Sequence, residues 1–107
     1  MNFRQLEKYA SNITVYSDLS PQGRPERGFV QPLELHSEAD IGLRSPGGGG
    51  GKYLLIAGAG AIGPEEKSVR VGFGGAIFRL LRREEYGLNG TDHIECLLRY
   101  LGREEYA

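Results

Sequence analysis

Lys52-Tyr53-Leu54-Leu55-Ile56-Ala57-Gly58-Ala59-Gly60-Ala61-Ile62-Gly63 is the longest apolar run of the chain, and its reading decides the fold. Tyr53 to Ala57 are short, continuously apolar, and carry an aromatic and a β-branched side chain, which predicts a buried strand. Gly58 to Gly63 spell G-x-G-x-x-G, and a glycine run from Gly47 to Gly51 leads in. A helix opening at Gly58 would begin a parallel crossover, whereas a strand close behind would begin an antiparallel sheet. Pro64-Glu65-Glu66-Lys67 come next as a turn signal, and then Ser68-Val69-Arg70-Val71-Gly72-Phe73 with Val69, Val71 and Phe73 on one face. That gap is too short for the crossover of about a dozen residues that a parallel pair needs. The two strands are therefore expected as an antiparallel hairpin.

Toward the N-terminus, residues 2–10 have the spacing of a short amphipathic helix, with Phe3, Leu6, Tyr9 and Ala10 on one face. Ile13-Thr14-Val15-Tyr16 predict a first strand. Asp18 to Gly28, with Pro21, Gly23 and Pro25, predict a loop or a wide hairpin connection. Phe29 to His36 predict a second strand, and Pro32 places it at a sheet edge or splits it in two. Ser37 to Gly51 predict a loop, with a flexible Gly-rich part at 45–52.

Toward the C-terminus the period changes. Over Ala76–Tyr86, Ile77, Leu80, Leu81 and Glu84 gather on one side and Arg79, Arg82 and Arg83 on the other, which predicts a helix closed by Gly87. A last helix is predicted over Asp92–Leu101, with Thr91 as N-cap and Ile94, Leu97, Leu98 and Leu101 as its core face. The expected fold is α+β: a small, mainly antiparallel sheet of about four strands with an N-terminal helix and two C-terminal helices, in one domain over residues 1–107.

Composition narrows the function classes. A net charge of −1 over 107 residues gives no bulk attraction to DNA, RNA or anionic lipid. The single cysteine, Cys96, excludes an intrachain disulfide and fits a reducing compartment. The N-terminus lacks the apolar core of a signal peptide, and no run reaches the roughly 18–20 apolar residues of a membrane span. A soluble cytoplasmic protein is the expectation. The 17 glycines are more than twice the usual share and suggest turns or close backbone approaches.

Leu55 to Gly63 resembles the opening of Rossmann dehydrogenases, over about a tenth of the chain. The resemblance implies a dinucleotide whose pyrophosphate sits on Gly58, Gly60 and Gly63 at a helix N-terminus. The short turn before Val69 leaves no room for that helix, so the residues themselves point to a Gly-rich strand end in close packing. Pro46 to Tyr53 is no P-loop, because Pro46 and Tyr53 stand where Gly and Ser/Thr are needed. Glycine amides beside Lys52 could still hold an anion. Lys52, Gly58, Gly60 and Gly63 are thus the candidate ligand or anion-binding set.

His93 and Cys96, three apart on the predicted helix, have the residue types of a base and a nucleophile or of two zinc ligands. A structural zinc needs four ligands, and nothing supplies an orienting group, so neither metal, cofactor nor catalytic residues are expected. With Tyr100 the two form an apolar flank whose burial calls for another chain, which predicts a weak homodimer. Arg79, Arg82 and Arg83, joined by Arg99 from the last helix, form the candidate partner-binding cluster, against the alternative of a solvated face shared with Glu84 and Glu85.

These readings lead to a small non-enzymatic binding protein that recognises another macromolecule, a protein above all, by analogy with phage and mobile-element inhibitors or adaptors. The alternative is a binder or hydrolase of a small phosphorylated or nucleotide ligand, using the Gly-rich segment and the basic residues.

Overall fold

The computed structural model describes residues 3–33, 51–87 and 90–104, with the side chain of Arg4 left aside. Six strands run in sequence: β1 Ser11–Tyr16, β2 Arg24–Pro32, β3 Lys52–Gly58, β4 Arg70–Phe73, β5 Ala76–Tyr86 and β6 His93–Arg103. They close into a barrel in the order β1-β2-β3-β6-β5-β4, and every neighbouring pair is antiparallel. This overturns the α+β expectation.

The largest correction is at the C-terminus. Both predicted helices are 11-residue strands, paired with each other as a long hairpin. In β6 the inward side chains are Ile94, Cys96 and Leu98, all fully buried, with Tyr100 half-buried after them. That is a period of two. The outward Leu97 and Leu101 complete a false period of three and four. In β5 the alternation itself is broken: Leu80 stands opposite Leu98 and Arg82 opposite Leu97, so Leu81 is an unpaired bulge. Further along the same ladder, Leu101 of β6 is skipped where Ile77 meets Gly102 and Phe78 meets Tyr100. Gly87 and Thr91 therefore cap no helix.

The expected hairpin between β3 and β4 is also overturned. β3 lies between β2 and β6, β4 between β1 and β5, on opposite sides of the barrel. The connection from 59 to 69 crosses the barrel end, where Ala61, Ile62 and Val69 are buried as a plug. The other end is filled by rings: Tyr53 packs edge-on against Phe78 at 4.8 Å, and Phe78 against Tyr100 at 5.8 Å. Between the ends lie Val15, Leu55, Val71, Ile94, Cys96 and Leu98.

The expected loop over Asp18–Gly28 ends earlier, at Arg24, where β2 begins. β2 pairs with β1 through residues 24–28 and with β3 through residues 28–32. Among the described residues each half has one free side, and that is why a strand interior tolerates Pro25 and Pro32, which have no N–H to donate. Gly28 is the corner. A Cβ there would stand 2.8 Å from Leu55 Cδ1 and 3.0 Å from the Ile56 carbonyl oxygen. The expected continuation to His36 and the Gly-rich loop from 45 to 50 lie outside the described residues.

The N-terminal helix is real but short, Phe3–Leu6 (α1) followed by a 3-10 turn at Glu7–Tyr9. Of its predicted apolar face only Phe3 and Ala10 are buried. The Phe3 ring meets Phe29 edge-on at 6.0 Å, and its N–H donates to the Asp92 carboxylate at 2.9 Å. Among the described residues, no helix is long and apolar enough to cross a membrane.

Candidate functional site

Cross-strand register assembles the site. Lys52 on β3 stands opposite Arg99 on β6, Arg99 opposite Arg79 on β5, and Arg79 opposite Arg70 on β4. Residues directly opposite in a ladder share a face, and the neighbours of these four along their strands, Tyr53, Leu98, Phe78 and Val71, point into the core. The cations therefore form one outward row. With strands about 4.8 Å apart, the row is about 14 Å long. Among the described residues no carboxylate pairs with any of the four. Arg70 at its end has its guanidinium 5.7 Å from the centre of the Tyr16 ring.

Tyr16 is itself engaged. Its hydroxyl donates to Glu104 Oε1 at 3.0 Å, and this bond, followed by burial, raises its pKa. Glu104 reaches over Gly72, where a Cβ would come within 2.6 Å of Oε1. Beside the row, Leu54 and Leu97 face each other outward, half-buried. On the β5 side a cleft of about 920 Å³ is lined by Tyr16, Ser68, Arg70, Arg79, Leu81 and Leu101 among others.

The structure thus joins members of two candidate sets and separates others. Lys52, expected with the glycines, joins Arg79 and Arg99, expected as part of a partner surface. Arg82 points outward but pairs with Glu84 at 3.1 Å. Arg83 belongs to the inward register opposite Cys96, donates from Nε to the Ile62 carbonyl at 2.7 Å and pairs with Glu85. Arg70 completes the row and was missed in the sequence, although the alternation of Val69, Val71 and Phe73 had already put it on the opposite face.

Gly58, Gly60 and Gly63 lie at the far end of β3 from Lys52. Gly58 stands opposite His93, and Ala61 N–H closes a turn on the Gly58 carbonyl at 3.0 Å. No helix opens there, so the arrangement implied by the Rossmann resemblance is absent. The Gly63 N–H already donates to Glu66 Oε2 at 2.7 Å. Gly58 and Gly60 line a second cleft of about 440 Å³ together with Glu7, Glu26 and Arg27. Arg27 donates there to the Ala10 carbonyl, and two carboxylates disfavour an anion.

His93 and Cys96 are on opposite faces of β6, since residues three apart on a strand diverge. Cys96 is fully buried, and burial pushes its thiol up to about 12, far from a thiolate at neutral pH. His93 lies outside between Asp92 at 3.0 Å and Glu95 at 3.1 Å, stacked on Tyr86 with ring centres 5.5 Å apart. The flank of His93, Cys96 and Tyr100 on which a homodimer was expected therefore does not exist. Among the described residues no group of three His, Cys, Asp or Glu side chains could hold a metal ion. Comparison with known proteins finds no matching family model, no similar curated protein and no similar solved structure.

Proposed function

We propose that this chain is a non-enzymatic binding module that recognises an acidic protein surface through the row Lys52, Arg99, Arg79 and Arg70. The observation that carries the reading is that four cations stand directly opposite one another with no carboxylate partner among the described residues. Like charges placed so each cost about 0.2–1 kcal/mol. This chain has 14 acidic residues against 13 basic ones, so charge composition alone does not force the clustering. An acidic partner removes the repulsion and gains four charge-assisted contacts.

A protein is favoured over a single-stranded nucleic acid by what flanks the row. Leucines border it at Leu54 and Leu97, the neighbouring rings Tyr53 and Phe78 are packed in the core, and Tyr16 is tied to Glu104, so among the described residues no stack of free aromatic platforms accompanies the cations. A small phosphorylated ligand in the cleft beside Arg70 and Arg79 is the second reading, favoured by the four arginines of its lining, Arg70, Arg79, Arg82 and Arg83, against the carboxylates Asp18 and Glu66.

The test is titration of the wild-type chain and the Arg79→Glu/Arg99→Glu variant with polyglutamate and with a single-stranded oligonucleotide. Salt-sensitive polyglutamate binding that the variant loses supports the reading. A wild type that ignores polyglutamate at low salt, or a variant that binds it equally well, refutes it. Binding of the oligonucleotide alone would move the reading to nucleic acid.

A further inference from the structure

Among the described residues, β5 is accompanied on only one side along most of its length. β6 pairs with it from Ala76 to Tyr86, whereas β4 pairs only with residues 76–79. The last backbone bond on the β4 side runs from Leu80 N–H to the Val69 carbonyl at 3.0 Å. One residue earlier stands Ser68, the one described non-glycine residue with a left-handed backbone, at φ +54°. That conformation disfavours a side chain, and here it turns the chain away from β5 and ends the ladder. From Leu81 to Glu85, no backbone hydrogen bond among the described residues reaches anything but β6. The cleft lined by Arg70 and Arg79 runs along this edge at residues 80–83.

An open edge is a template for another strand. We propose that a second copy of this chain covers it, β5 pairing antiparallel with β5 of the other copy about a two-fold axis at Arg83. Such an axis stands perpendicular to the joined sheet, so outward side chains of one copy meet outward side chains of the other. Arg82 then lies opposite the partner's Glu84, and Glu84 opposite the partner's Arg82. Within one chain these two residues already pair at 3.1 Å, so the dimer turns two pairs into a closed ring of four alternating charges. An axis at Glu84 would instead set two exposed carboxylates face to face. At Arg83 the like charges are turned inward, each held by the Ile62 carbonyl and Glu85 of its own chain. Leu81 and Tyr86, 42% and 40% exposed, flank the ladder and lose water on pairing.

The dimer rests on this edge alone. It does not use the cation row, and it replaces the helical flank as the physical basis for self-association. Mass measurement by analytical ultracentrifugation, from micromolar to millimolar chain concentration, tests it. The wild type is expected to show a monomer–dimer equilibrium, weakened about tenfold or more by either Arg82→Glu or Glu84→Arg. Both residues are exposed, and circular dichroism establishes that the variants fold. The deciding arm mixes the two variants. One then presents two carboxylates and the other two cations, so a heterodimer forms that neither makes with itself. A wild type monomeric at millimolar concentration, reversals that leave the dimer intact, or a mixture that stays monomeric would each overturn the proposal.

Discussion

Arg24 and Glu66 meet across the plugged end of the barrel in a two-pronged pair, with Nη1 to Oε1 and Nη2 to Oε2 both at 2.6 Å. Arg24 belongs to the inward register of β2, opposite Val15, and Glu66 to the connection that crosses the barrel. The pair ties the plug to the wall. Ser17 Oγ donates to Oε1 at 2.6 Å, and Arg24 Nη2 also donates to the Ala61 carbonyl at 2.6 Å, next to Ile62. With the Gly63 N–H on Oε2, three kinds of donor converge on one carboxylate whose side chain is 4% exposed.

The first prediction is a pH dependence. Arg24, helped by Ser17 and Gly63 and opposed by burial, holds the Glu66 carboxyl down from 4.5 to about 2. A depressed folded pKa stabilises the fold above the unfolded value and loses that contribution as pH falls toward the folded one. Unfolding free energy should thus drop between about pH 4.5 and 2, by about 3 kcal/mol from this group. Glu66→Gln should flatten that part of the acid profile. At neutral pH it should cost about 2–3 kcal/mol by chemical denaturation, short of a fully buried pair because Arg24 keeps 27% of its side chain exposed.

His93 gives the opposite sign in a different window. Burial draws its pKa down, but hydrogen bonds to Asp92 and Glu95 outweigh that, and the net shift is upward. Its contribution is complete below the unfolded value of about 6.5 and is lost as pH rises through the raised folded value. Melting temperature should therefore decline gently from slightly acid to slightly alkaline pH. His93→Gln should remove the decline.

The cation row predicts a conflict between stability and binding. Arg99 faces Lys52 on one side and Arg79 on the other. Arg99→Glu should raise stability by about 0.5 kcal/mol, since it turns two repulsions into attractions, while weakening capture of polyglutamate. A variant that loses stability and keeps binding contradicts the role given to the row.

The glycines separate by position. A Cβ on Gly60 meets nothing within 4 Å, so Gly60→Ala should change stability by less than about 0.5 kcal/mol. This corrects the expectation of close packing at that residue. Gly28→Ala should cost about 1–3 kcal/mol, because the new methyl overlaps Leu55 and the Ile56 carbonyl and forces the corner of β2 open. Thermal unfolding of the two variants side by side is the measurement.

β1, β3 and β4 were legible in the amino-acid order alone. There Ile13 and Val15, and Val71 and Phe73, alternate, and Tyr53 to Ala57 form a short apolar run, and the observed strands differ from the expected ones by a residue or two at the ends. The order also supplied the cations Lys52, Arg79 and Arg99 as separate candidates. β5 and β6 became strands only through tertiary pairing. Their Leu, Arg and Glu content favours a helix locally, and the bulge at Leu81 with the outward Leu97 and Leu101 imitates a helical face. The barrel overrides this, because closing the sheet pairs both strands along their length and buries Ile94, Cys96, Leu98 and Phe78 on one side. Closure also settled which strands are neighbours. A chain records its local alternation in its own order, but register is a relation between residues far apart in that order. For that reason Lys52, Arg99, Arg79 and Arg70 become one row only once the barrel has shut.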